Sequence, residues 1–297
     1  MGTPEFAVPS LQILVENGYQ VVGVVTAADK LGGRGKKQLL ESAVKKYAVS
    51  RGIPVLQPVR LRDPGFLKSL RRLEGNLFVV VAFRMLPEVV WSMPEHGTFN
   101  LHGSLLPKYR GAAPINWAII NGETETGVTT FFIKQEIDTG DLLLQKKMPI
   151  GDNETAGEVH DRMKVLGAEA VLETVRAIES GGYTLEKQDD SLATKAPKIF
   201  HETCEIDFSQ PVQQVHDFIR GLSPYPAAWT RLDGKVLKIL RTAIDHTPHE
   251  LAPGTFLSDN KEWLKVATQG GFVFVHELQM EGRRRMLVGD FLNGYFF

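Results

Sequence analysis

Residues 77–83 read LFVVVAF, an unbroken apolar run of strand length. A run without polar alternation suits a strand covered on both faces, as in parallel sheets flanked by helices. The segments upstream agree. Residues 21–26 are β-branched and extended, 39–50 have the apolar spacing of an amphipathic helix, 53–56 are short and extended, and Asp63 is placed to cap a helix reaching about residue 73. Strand and helix alternate, so the chain is expected to be an α/β protein built on a mostly parallel sheet.

The next extended stretch carries chemistry. Residues 98–114 read TFNLHGSLLPKYRGAAP, a short strand running out into a loop at Gly103 and Ser104. Residues two apart on a strand share a face. That sets the carboxamide of Asn100 beside the imidazole of His102 at the carboxyl end of a strand, where open α/β sheets bind ligands. An amide is a donor that never titrates, whereas a histidine donates, accepts or changes charge near neutral pH. Together they suit a developing oxyanion. An isolated Asn-x-His is more often a turn cap and a structural histidine; the loop that follows is what points to a site. Residues 104–113 have neither helical nor strand period, so an ordered loop with backbone groups open to a ligand is expected. Pro114 then opens a helix over 115–121 that Gly122 closes.

A further strand at 128–133 leads into Gln135-Glu136-Ile137-Asp138-Thr139-Gly140-Asp141. Two carboxylates beside a glycine are compatible with a turn, a metal site or catalysis. No cluster of His and Cys with metal-ligand spacing accompanies them. Residues 142–150 are extended, and 155–180 form a long helix with Thr155 and Glu158 placed as a capping box, ended by Gly181-Gly182.

The run NLHGSLLPKYRGAAP at 100–114, followed by Ile137-Asp138-Thr139-Gly140-Asp141, resembles the signature of the folate-dependent formyltransferases, and the similarity extends over essentially the whole chain. Within that family the layout is similar to the members that formylate methionyl initiator tRNA. The resemblance implies a Rossmann-like formyltransferase domain over 1–182, a linker over 183–200 and a small OB-like β-barrel over 201–297. It implies 10-formyltetrahydrofolate as co-substrate and no metal. Asn100, His102 and Asp138 become the catalytic trio. Asn100 and His102 would hydrogen-bond the oxyanion formed when an amine attacks the formyl carbon, and Asp138 would hold His102 and order proton transfer. Asp141 is left as a loop residue. Ser104, Leu105, Leu106 and Pro107 would line the folate, and Arg84, Met85 and Leu86, at the end of the 77–83 strand, would border its pterin.

Residues 29–37, DKLGGRGKK, read as a mobile basic loop. The glycine spacing fits neither a Walker A loop nor G-x-G-x-x-G, which weakens a dinucleotide oxidoreductase. Such stretches are usually solvated linkers. The resemblance makes this one the segment that reaches the acceptor end of tRNA, with Arg34, Lys36 and Lys37 on phosphates and bases. The alternatives are an amino-sugar nucleotide as acceptor, or a non-catalytic RNA-binding relative.

Residues 2–7, GTPEFA, read as a tight turn entering a helix that Gly18 ends. In the family a buried first strand precedes that turn. Here it has no residues, so two neighbouring strands are expected to be left with unpaired backbone groups and a gap in the core.

With 43% hydrophobic and 23% charged residues the composition is that of an ordinary globular protein, and 297 residues are long enough for two domains. A net charge of -1 excludes coating nucleic acid by bulk charge, so RNA contact must come from local basic patches. The single Cys204 excludes an internal disulfide, no apolar run approaches a membrane span, and no targeting pattern opens the chain. A cytoplasmic monomer is expected. Beyond the linker, Val212, Val215, Ile219 and Leu222 mark one helix, stopped by Pro224-Tyr225-Pro226. Alternation at 236–240, 263–267 and 272–278 with a turn at Asp233-Gly234 predicts a small antiparallel barrel. Arg283-Arg284-Arg285 is its basic cluster, on a turn.

Overall fold

The computed structural model describes residues 1–297 with the exception of Gly33, Arg34, Lys36 and Lys37. The chain forms two compact units. The first comprises Met1–Gly111, Gly127–Lys147 and Asp161–Lys195, the second Ala112–Thr126, Met148–His160 and Ala196–Phe297. In chain order the elements are α1 (Val8–Glu16), β1 (Val24–Val25), β2 (Lys30–Gly32), β3 (Gln38–Leu40), α2 (Ala43–Ser50), β4 (Val55–Leu56), α3 (Pro64–Arg72), β5 (Phe78–Val81), α4 (Glu88–Trp91), β6 (Thr98–His102), β7 (Arg110–Gly111), α5 (Pro114–Ile120), β8 (Glu125–Phe132), β9 (Leu142–Pro149), α6 (Ala156–Ser180), β10 (Lys195–Ala196), α7 (Val212–Leu222), β11 (Ala228–Leu232), β12 (Lys235–Asp245), β13 (Phe256–Ser258), β14 (Leu264–Thr268), β15 (Gly271–Met280), β16 (Met286–Leu287) and α8 (Val288–Leu292).

The apolar run at 77–83 supplies β5, which pairs parallel with β6 in the register Val80 to Asn100. β8 runs antiparallel to β6, so the four-stranded sheet β5-β6-β8-β9 is mixed, and β1 and β4 form a separate parallel pair. Phe78 and Val80 pack with Phe66 and Leu70 of α3 and with Leu86 and Val90. Leu101 of β6 meets α6 at Gly167, where an added Cβ would come within 2.7 Å of its side chain. Thr130 of β8 and Thr174 of α6 join by a 2.7 Å hydroxyl bond. Helix starts follow the sequence: Asp63 accepts from the Phe66 amide at 2.9 Å, and Thr155 and Glu158 cap reciprocally.

The helix expected from residue 39 begins later. Leu39 and Leu40 lie in β3, which pairs antiparallel with β2. Ser42 then accepts from the Lys45 amide at 3.0 Å and starts α2. The apolar spacing ran through this cap and lengthened the apparent helix.

Between β1 and β5 the two residues Met1 and Gly2 form a bridge. The Gly2 amide donates to Val25 at 3.0 Å, the Val81 amide donates to Met1 at 2.9 Å, and the Met1 ammonium donates to the Val79 carbonyl at 2.6 Å. A Cβ on Gly2 would sit 2.9 Å from the Val81 carbonyl oxygen, so the close approach needs glycine. Beside the bridge lies a cavity of about 540 Å³, lined by Leu11, Leu14, Val22, Leu70, Leu77 and Val175 among others. Burial of the amine lowers its pKa from an ordinary 8.0 to about 5.

In the second unit β11–β16 form a six-stranded antiparallel sheet. Asp233 and Gly234, both with positive φ, turn β11 into β12. Val215, Ile219 and Leu222 of α7 join Leu237, Ile239, Val273 and Val275 in its core. In a buried Arg220–Asp217 pair, Nε of Arg220 donates to the carboxylate at 2.7 Å and Nη1 donates to the carbonyls of Gly151 and Glu154 at 3.1 Å each, which offsets part of the cost of desolvating the guanidinium. Of the three consecutive arginines, Arg285 pairs with Glu277.

Candidate active site

Asn100 and His102 share one face of β6, and Phe99 and Leu101 fill the other with 0% and 3% exposure. Asn100 is half-buried, and its carboxamide has no hydrogen-bond partner among the described residues. His102 is buried, with Nε2 2.8 Å from the Tyr109 carbonyl. A carbonyl only accepts, so Nε2 carries the hydrogen. The nitrogen left for chemistry is Nδ1, which faces Oδ2 of Asp138 at 3.8 Å. That separation is within ion-pair reach and too long for a direct hydrogen bond.

Asp138 sits on the loop after β8 with φ +55, a left-handed conformation uncommon outside glycine. Its carboxylate accepts a 2.9 Å hydrogen bond from the Gly111 amide. Two residues on, the loop returns against β8: a Cβ at Gly140 would lie 1.7 Å from the Phe132 carbonyl oxygen. Asp141 is taken up by Lys134 at 2.8 Å. Among the described residues no group of three or more His, Cys, Asp or Glu side chains is arranged to hold a metal ion.

The loop after β6 is held from below. Thr129 donates to the Ser104 carbonyl at 2.6 Å and accepts from the Leu106 amide at 3.1 Å and from Gln145 at 3.0 Å. Gln145 also donates to the Leu106 carbonyl at 2.8 Å, and Ser104 Oγ donates to the Lys108 carbonyl. Ser104 and Leu106 are therefore buried, with backbone groups turned inward to the protein, while Leu105 and Pro107 remain half-buried at the surface. The loop presents a fixed shape more than the open row of backbone groups that its sequence suggests.

The end of β5 lies next to the end of β6. Arg84 donates to the carbonyls of Pro58 and Val59 and stacks over Phe83. Met85 is 69% exposed, whereas Leu86 belongs to the core. Of the three residues expected to border a pterin, Met85 offers free apolar surface and Leu86 supports it from within. Arg34, Lys36 and Lys37 lie outside the described residues.

Five residues that join this site were not singled out from the sequence: Tyr109, Gly111, Thr129, Gln145 and Gln188. Tyr109 and Gly111 act through backbone groups, which leave no side-chain signature. Thr129 and Gln145 look like ordinary strand residues. Gln188 lies in the polar stretch read as a linker, yet its carboxamide donates to the carbonyls of both Asp138 and Gly140 at 2.8 Å.

Residues 1–175 match the family model described as formyl transferase, and residues 198–295 match the formyl transferase C-terminal domain. Methionyl-tRNA formyltransferases from Parabacteroides distasonis and Phocaeicola vulgatus are 53% and 55% identical to the chain, each over 99% of it and 94% of the relative. Among solved structures, the N-formyltransferase from Helicobacter canadensis, in complex with folinic acid and dTDP-3-aminofucose, superposes with a TM-score of 0.70 at 22% identity, covering 92% of this chain and 96% of that one. Methionyl-tRNA formyltransferase from Clostridium thermocellum gives 0.52 at 15% identity, over 75% and 92%. At such identities the structural likeness speaks for the fold alone.

Proposed function

The chain belongs to the formyl transferase family, and from that membership we propose that it transfers the formyl group of 10-formyltetrahydrofolate to the α-amino group of methionyl initiator tRNA. The observation that carries this reading is the identity of about half, over 99% of the chain, to relatives named for that reaction. Likeness to sugar N-formyltransferases stays near 20%, which ranks an amino-sugar acceptor second. Cytoplasmic action as a monomer belongs to the same proposal; among the described residues no helix is long and apolar enough to cross a membrane.

The bond made is between the amine nitrogen and the formyl carbon, and the bond broken is between that carbon and N10 of the folate. The amine loses a proton and N10 gains one. Negative charge grows on the formyl oxygen in between. The half-buried Asn100 carboxamide, without a hydrogen-bond partner among the described residues, supports a role as a donor to that oxygen. His102 is held by Tyr109 through Nε2, so proton traffic falls to Nδ1, on the side of Asp138. Asp138 stabilises positive charge on that ring while the proton is in transit.

Leu105, Pro107 and Met85 offer half-buried or exposed apolar surface for the flat folate ring, over a loop pinned by Thr129 and Gln145. Arg34, Lys36 and Lys37 are assigned to the tRNA by the family resemblance of residues 29–37, with which their positive charge agrees. Deleting residues 32–37 tests that assignment: folate binding by calorimetry should persist while tRNA formylation disappears. Unchanged turnover on tRNA would sink it.

A further inference from the structure

We propose that Gln188 is a positioning residue that sets Asp138 against His102. The proposal rests on the reading of Asp138 as part of the active site. Within residues 181–190 every other residue is exposed, and Gln188 alone is half-buried. Its carboxamide uses its whole hydrogen-bonding capacity on two other segments. Both hydrogens of Nε2 go to the carbonyls of Asp138 and Gly140, at 2.8 Å each. Oε1 accepts from Nε and Nη2 of Arg110, at 3.0 and 2.7 Å. Arg110 is held from the other side by Asp190 at 2.7 Å, and its own amide donates to Thr194 at 2.9 Å.

The two segments so joined are the ones that meet at the catalytic carboxylate. Arg110 precedes Gly111, whose amide donates to Oδ2 of Asp138. Asp138 and Gly140 carry the other half of that contact, in a backbone conformation that is costly for aspartate without external support. One side-chain amide thus fixes the donor strand and the acceptor loop together. A surface linker needs no such group, and a solvated Gln would give up rotamer entropy to make these bonds.

An acid at this position keeps the shape and the acceptor for Arg110 but loses both donors and points an oxygen at two carbonyls. Gln188→Glu should therefore lower kcat by roughly ten- to a hundredfold, the scale of an ångström-sized misplacement, with KM for both substrates changed less than about twofold. Gln188→Met, which keeps length and drops every hydrogen bond, should behave alike and covers the case in which the charged variant fails to fold. Lys187→Ala, one residue away and exposed, should be unaffected.

The decisive readout is a double-mutant cycle with Asp138→Asn. If Gln188 acts through Asp138, adding Gln188→Met to Asp138→Asn costs little further rate. Additive losses, or a Gln188→Met enzyme with wild-type kcat, would overturn the inference. Should Asp138→Asn itself keep full activity, the reading of the site fails first, and the two failures are told apart.

Discussion

Oδ2 of Asp138 lies 2.9 Å from the Gly111 amide and 3.8 Å from Nδ1 of His102. The backbone, not the imidazole, holds the carboxylate in place. His102 in turn is held by Tyr109 through Nε2. Each member of the pair is anchored separately, so the gap between them is set by the scaffold.

Asn100 carries the simplest prediction. Asn100→Ala removes a carboxamide that makes no internal hydrogen bond among the described residues, so stability should hardly change. The rate should fall by about a hundred- to a thousandfold, the usual loss for one oxyanion donor. Steady-state formyl transfer alongside a thermal melt separates the two effects.

Thr129→Val is close to isosteric and removes a hydroxyl that donates to Ser104 and accepts from Leu106 and Gln145. Buried backbone groups would lose their partner, at a cost of about 1–3 kcal/mol. The loop should loosen, and folate KM should rise more than kcat falls. Urea unfolding and a folate titration of rates check both halves.

Gly140→Ala would drive a methyl into the Phe132 carbonyl oxygen, 1.7 Å away, where no rotamer can relieve it. The loop must move, destabilising the fold by about 1–3 kcal/mol or more and taking Asp138 with it. Activity and melting temperature should drop together, unlike in Asn100→Ala.

Stability should rise with pH between about 5 and 8 in a chain whose amine is at Met1. Burial lowers the pKa of that amine from 8.0 to about 5. The unfolded chain therefore binds more protons in this interval, and the fold gains as they leave. Three pH units correspond to about 4 kcal/mol at the high end relative to the low. His216, its pKa lowered mainly by burial and retaining a bond to Thr242, works in the same direction below its ordinary 6.5. Urea melts across this range give the slope. Extending the chain upstream of Met1 with apolar, β-branched residues should abolish the amine's share, and should raise the melting temperature by filling the adjoining cavity.

What could be read in advance was whatever has a local cause. The apolar run at β5, the two-residue spacing of Asn100 and His102 and the caps at Asp63 and Thr155 depend on neighbours in sequence. The antiparallel course of β8 beside β6 depends on how a connection returns, which periodicity does not record. Leu39 and Leu40 were drawn into a helix because apolar spacing carried on past Ser42. Gln188 looked like linker because its partners lie 78, 50 and 48 residues away.

The most direct test of the central claim is formyl transfer from 10-formyltetrahydrofolate, measured in parallel with methionyl initiator tRNA and with an amino-sugar nucleotide as acceptors. Formylation of the tRNA alone is the predicted result, lost in Asn100→Ala. Formylation of the sugar nucleotide with the tRNA untouched would contradict it.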